Sequence, residues 1–110
     1  MVQCFDNKDY DVAIVEQHHK NKKDNPSGSA KQLESVLQKN HKDVQIFGIR
    51  GGTEIGTHTV IFYGESEKIT ITHQAENRDI FAFGAIKAGE FIQTKCKGIY
   101  TMKNLVDYEK

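Results

Sequence analysis

Thr57-His58-Thr59-Val60-Ile61-Phe62-Tyr63, then Gly64-Glu65-Ser66, then Glu67-Lys68-Ile69-Thr70-Ile71-Thr72-His73, carries the clearest two-residue alternation in the chain. Successive strand residues point to opposite faces, so His58, Val60 and Phe62 share one face while Thr57, Thr59, Ile61 and Tyr63 share the other. After the turn, Ile69, Ile71 and His73 alternate with Lys68, Thr70 and Thr72 in the same way. The stretch therefore predicts a hairpin with an apolar face and a threonine-rich face. With Ile61 and Tyr63 among its threonines, the second face suits a solvated sheet surface or a subunit interface equally.

Upstream of the hairpin, Gly51-Gly52 marks a turn or bulge, and Val44 to Arg50 alternates as a strand. Val12-Ala13-Ile14-Val15 has no room for a polar face, which predicts a strand covered on both sides and ended by Glu16. Between these strands, Ser29-Ala30-Lys31-Gln32 reads as a capping box, and Ala30, Leu33, Val36 and Leu37 give one apolar stripe, so a helix is expected over 29–39. Downstream, Asn77-Arg78-Asp79 offers capping side chains to a helix over 79–93. Gly84 and Gly89 inside it cost about 1 kcal/mol each against Ala, which close packing on a neighbour would offset. Met102 to Val106 suggests one further turn, and residues 1–10 read as the tail of an element beginning upstream. The order β, α, β, β, β, α predicts an α+β fold: a mixed open sheet of about four strands, the first two parallel, with two main helices on one face.

A chain of 110 residues suits one modest domain, without room for a separate cofactor domain. Lys plus Arg and Asp plus Glu are 15 each, so charge makes no case for a nucleic-acid or membrane partner. Cys4 and Cys96 lack metal-ligand spacing, and no signal segment or long apolar run is visible, which predicts a soluble cytoplasmic domain.

The chemistry concentrates in Glu16 to Ala30. A helix N-terminus presents unpaired N–H groups and positive potential, and Ser27-Gly28-Ser29 allows close approach, so an anion belongs there. Lys20, Lys22 and Lys23 add charge, and His18 and His19 are of the side-chain type best suited to moving a proton near neutrality. Arg50 beside Gly51-Gly52 suits a carboxylate contact, and Glu16 suits orienting an imidazole or pairing with a lysine. A metal site drawn from His18, His19, His58, His73 and Asp24 matches no zinc spacing and would face opposing lysines, so none is expected. No glycine-rich phosphate loop is present.

Glu16-Gln17-His18-His19-Lys20-Asn21-Lys22-Lys23-Asp24-Asn25-Pro26-Ser27-Gly28-Ser29-Ala30 resembles the Glu-x-His-His-x-x-Lys-x-Asp-x-Pro-Ser-Gly-Thr-Ala signature of the C-terminal domain of 4-hydroxy-tetrahydrodipicolinate (dihydrodipicolinate) reductases. Arg50-Gly51-Gly52 and Gly56-Thr57-His58-Thr59-Val60-Ile61-Phe62 match a second block. Glu67, Ile71-Thr72-His73, Arg78, Phe81 and Gly84-Ala85 match a third, and Gly98-Ile99-Tyr100-Thr101-Met102 is similar to the family's closing segment. Ser29 stands where Thr is usual, Asn25 where Ala is usual, and Thr57 where Glu is usual.

The resemblance implies the substrate-binding and tetramerisation domain of an enzyme whose N-terminal Rossmann domain, holding NADH or NADPH, is absent here. By the same resemblance His18 is the general acid and Lys22 its catalytic partner. His19, Ser27, Gly28, Ser29 and Arg50 bind a cyclic imine dicarboxylate, and homotetramers form through the sheet face. The isolated chain is then expected to be inactive. The contrasting expectation is a non-catalytic module of the same fold that binds small anions or only assembles.

Overall fold

The computed structural model describes residues 9–109, so Cys4 and most of the expected lead-in at 1–10 lie outside the described residues. Four strands and three helices follow in the order β1 (Asp11–His18), α1 (Gly28–Leu37), β2 (Val44–Arg50), β3 (Thr57–Gly64), β4 (Glu67–Gln74), α2 (Asp79–Gln93) and α3 (Met102–Tyr108). The sheet has the order β2-β1-β3-β4, with β1 parallel to β2 and antiparallel to β3, and β3 antiparallel to β4. The fold is α+β with a mixed four-stranded sheet, as expected. The described residues gather into two compact units, dividing between Glu76 and Asn77.

In the first unit, register sets the two faces of the sheet. Val12 lies opposite Val44 and Phe62, and Ile14 opposite Ile46 and Val60. Val12, Ile14, Val60 and Phe62, with Ala30 and Leu37 of α1, make the core, and Val44, Ile46, Leu33, Ile69 and Ile71 pack against it. On the opposite face Val15 aligns with Phe47 and Thr59, and Thr59 with Thr72, whose hydroxyls are 3.1 Å apart. Phe47, Ile49 and Tyr63 on that face are about half exposed.

Two boundaries differ from the expectation. β1 does not stop at Glu16 but runs to His18, because pairing with β2 and β3 continues through Arg50 and Thr57. Helix α1 is capped by Ser27 rather than Ser29: Ser27 is extended and its Oγ accepts a hydrogen bond from the Ala30 amide at 3.3 Å. Buried Ser27 satisfies one of the orphan amides of the first turn, whereas Ser29 is exposed.

The second unit is helical. Asn77 Oδ1 accepts from the Asp79 amide at 2.9 Å, which starts α2 at the expected residue. Phe91 is buried against the rings of Tyr100 and Tyr108, and Lys95 Nζ lies 4.6 Å from the Tyr108 ring centre. Helix α3 is longer than the single turn expected, with Asn104 Oδ1 accepting from the Thr101 amide at 2.7 Å. A Cβ at Gly84 or Gly89 meets nothing within 4 Å, so the close packing expected there is not found among the described residues. No helix among them is long and apolar enough to cross a membrane.

Candidate active site

Toward the C-terminal end of β1 the helix-covered face changes from apolar to ionisable. Glu16, on the central strand, lies between Gly48 of β2 and His58 of β3 in register, and His18 lies opposite Arg50. The Glu16 side chain is fully buried. It accepts a short hydrogen bond from Nδ1 of His18, and Arg50 Nη2 lies 2.8 Å from its Oε1. Gly48 makes room for this: a Cβ there would come within 2.5 Å of Glu16 Oε1 and closer still to the Asn25 side chain. Burial pushes the Glu16 carboxyl up, but Arg50 and His18, through polar contact and charge, more than reverse that and hold it below the ordinary range.

The network continues on both sides of Glu16. The His18 and His58 rings meet edge to face with centres 5.2 Å apart, and His58 Nε2 lies 3.2 Å from the Ser27 hydroxyl. Burial lowers the His58 pKa and the charge of His18 lowers it further, outweighing the pull of Glu16. In the other direction Arg50 Nη2 donates to the Asp24 carbonyl at 2.6 Å, and Asp24 Oδ1 pairs with Lys22 Nζ at 3.0 Å. The Lys22 hydrogen bond is the main reason the Asp24 carboxyl titrates below its usual value. The loop is also tied at the backbone, by Gly51 N to His18 O at 3.0 Å and Lys20 N to Gly52 O at 3.2 Å. Gly52 has φ +52°, a left-handed conformation natural to glycine.

Of the residues singled out in the sequence, His18, Lys22, Ser27 and Arg50 thus join one chain of contacts. Gly28 and Ser29 form the exposed first turn of α1, where their amides have no intrahelical acceptor. Half-buried His19 gives its carbonyl to the Lys22 amide at 3.2 Å. Sequence reasoning gave no role to Gly48 and gave His58 only a place on the apolar strand face and in the matched block. No local signal marked Gly48, whose closeness to Glu16 follows only from the pairing of β1 with β2. His73 is exposed, and register aligns it with His58.

Glu16, His18 and His58 each offer a ligand atom, and these lie within 4.8 Å of one another. Arg50 on the same carboxylate opposes a cation there, and the short His18–Glu16 contact would have to open to admit one. The geometry instead suits an anion at the start of α1 beside an imidazole whose Nδ1 is already engaged. Its Nε2 lies toward Gly56, 3.2 Å from where a Cβ would stand.

Comparison with known proteins adds a family. Residues 1–106 match the family described as Dihydrodipicolinate reductase, C-terminus. The 4-hydroxy-tetrahydrodipicolinate reductase of Staphylococcus carnosus is 42% identical over 87% of this chain and 47% of its own length. That of Thermosipho africanus is 45% identical over 89% of this chain and 44% of its own, and that of Caldanaerobacter subterraneus subsp. tengcongensis is 38% identical over 88% and 46%. The chain spans about half the length of the curated relatives it matches. A dipicolinate-bound dihydrodipicolinate reductase from Paenisporosarcina sp. TG-14 shares the fold with TM-score 0.72 and 22% identity, over 86% of this chain and 44% of that one. The agreement of motif, fold and relatives is sufficient: the chain belongs to the family of dihydrodipicolinate reductase C-terminal domains.

Proposed function

We propose that this chain is the substrate-binding and proton-delivering part of a 4-hydroxy-tetrahydrodipicolinate reductase. The reaction reduces (2S,4S)-4-hydroxy-2,3,4,5-tetrahydrodipicolinate to tetrahydrodipicolinate, in the cytoplasmic diaminopimelate route to lysine. The observation that carries this reading is the contact of His18 with His58, whose Nε2 lies 3.2 Å from the Ser27 cap at the N-terminus of α1. A dicarboxylate needs an anion cradle near a proton donor, and the end of β1 and the start of α1 supply the residue types for both.

One substrate carboxylate is received by the amides of Gly28 and Ser29, where the helix dipole favours negative charge, with Ser27 holding the turn in shape. His19 contacts the substrate from the same loop. His18 supplies from Nε2 the proton that the reduction consumes, and Lys22 adds positive charge beside it. NADPH or NADH, when bound, supplies the hydride to the carbon from which the hydroxyl departs. Among the described residues there is no glycine-rich strand–turn–helix to hold a dinucleotide, so its binding falls mainly to a nucleotide-binding domain, and this chain alone is inactive. Copies assemble as a homotetramer through the threonine-rich sheet face.

The test is to join the chain to a dinucleotide-binding domain of a related reductase and follow NAD(P)H oxidation with enzymatically generated substrate. His18→Gln and Lys22→Ala should each lower kcat by about 10²-fold or more. Variants as active as the parent would refute the assignment. Absence of activity in the joined parent, with dipicolinate still bound, would favour a non-catalytic anion-binding module.

A further inference from the structure

Glu16 is buried in the middle of the sheet with an arginine and an imidazole as its partners. A carboxylate so placed is costly unless both oxygens are compensated, so its presence calls for a reason beyond packing. Arg50 is equally committed. Its Nη1 donates to the Ile49 carbonyl at 2.9 Å, and its Nη2 donates to the Asp24 carbonyl while lying against Glu16. Both terminal nitrogens are thus engaged inside the protein, while the buried Nε has no hydrogen-bond partner among the described residues.

We propose that Glu16 and Arg50 are a positioning pair for His18: Glu16 accepts the Nδ1 proton and so presents Nε2 to the substrate, while Arg50 braces Glu16 and the catalytic loop. The functional side of this rests on His18 being the proton donor; the positioning itself does not. A neutral imidazole carries one N–H, and the bond made by one nitrogen decides the role of the other. With Nδ1–H held by Glu16, Nε2 is the nitrogen that takes up and releases the mobile proton. Arg50 extends the brace by holding Asp24, whose carboxylate pairs with Lys22, so one guanidinium links the supports of both groups assigned to proton delivery. Gly56 completes the arrangement, because a side chain there would press on Nε2.

The pair makes an unusual prediction for Glu16→Gln. Arg50 requires an acceptor, so the amide oxygen turns toward it and the amide NH₂ faces Nδ1. Nδ1 must then accept, and the proton moves to Nε2. Long-range ¹H–¹⁵N correlation on the histidine-labelled chain at about pH 8, where imidazoles are largely neutral, reads this directly. The parent should show His18 as the Nδ1–H tautomer, and Glu16→Gln should convert it to Nε2–H. Adding Arg50→Met frees the amide to turn round, and the Nδ1–H signal should return. An unchanged tautomer in Glu16→Gln overturns the proposal. If that variant does not fold, Glu16→Asp, which withdraws the carboxylate by one methylene, should lower the Nδ1–H fraction, and an unchanged fraction is equally fatal. In the joined enzyme, Glu16→Gln should lower kcat about 10²-fold with KM close to the parent value. A tautomer change without loss of kcat would uphold the positioning and refute His18 as the proton donor.

Discussion

The hydroxyl of Ser27 stands 3.2 Å from Nε2 of His58, so the cap of α1 is fastened to the third strand of the sheet. That hydroxyl also receives the Ala30 amide. Ser27→Ala removes both contacts at a buried position and should cost about 1–2 kcal/mol in urea denaturation. In the joined enzyme it should raise KM more than it lowers kcat, since the cradle loosens while His18 keeps its support. A kcat loss without a KM change would contradict the carboxylate role of this turn.

Acid should weaken the fold in two stages. His58 titrates below the ordinary 6.5, so as pH falls the unfolded chain takes up this proton first. Its contribution is present above 6.5 and is lost as pH falls through the folded value. Glu16 titrates below the ordinary 4.5, so its contribution is present above that value and is lost at still lower pH. Urea midpoints measured from about pH 7 to about pH 3 should decline accordingly. His58→Gln should flatten the first stage and Glu16→Gln the second. A midpoint independent of pH across the whole range would disprove both assignments.

Glycines at two kinds of position should respond oppositely to alanine. At Gly48 a methyl group collides with Glu16 and Asn25, so Gly48→Ala should destabilise by about 1–3 kcal/mol and depress activity with it. Gly84 lies half-buried within α2, where a Cβ meets nothing within 4 Å. Gly84→Ala should therefore stabilise this chain by up to about 1 kcal/mol. Thermal melts of the two variants, compared with the parent, decide the matter. A loss at Gly84 would reveal a packing surface there.

The face bearing Phe47, Ile49 and Tyr63 is the one proposed for assembly. Light scattering should give a tetramer at micromolar concentration, and Phe47→Glu with Ile49→Lys should yield smaller species that retain the helix and strand signature in circular dichroism. A parent that stays monomeric would exclude this interface for the chain alone.

Local pattern sufficed for every strand and for the two main helices, because two-residue alternation and the apolar stripe of α1 reflect burial that the chain carries residue by residue. The Glu16 to Ala30 signature, with the Arg50 and Gly56 to Phe62 blocks, likewise sufficed for the family. Pattern did not reveal that β1 runs on through His18, because the polar residues there look like a loop until β2 and β3 supply hydrogen-bond partners on both sides. Pattern also named Ser29 as the cap where the structure has Ser27, since both serines precede apolar residues and only burial and the bonds of Ser27 to Ala30 and His58 separate them. The partners of Glu16 were likewise undecided. Arg50 is 34 positions away along the chain and reaches Glu16 only because β1 and β2 run parallel side by side. The sequence alone determined which chemical groups are present and in which elements they sit. The tertiary structure decided which of them meet, because strand register and the close approach allowed by Gly48 bring together charges that no local rule connects.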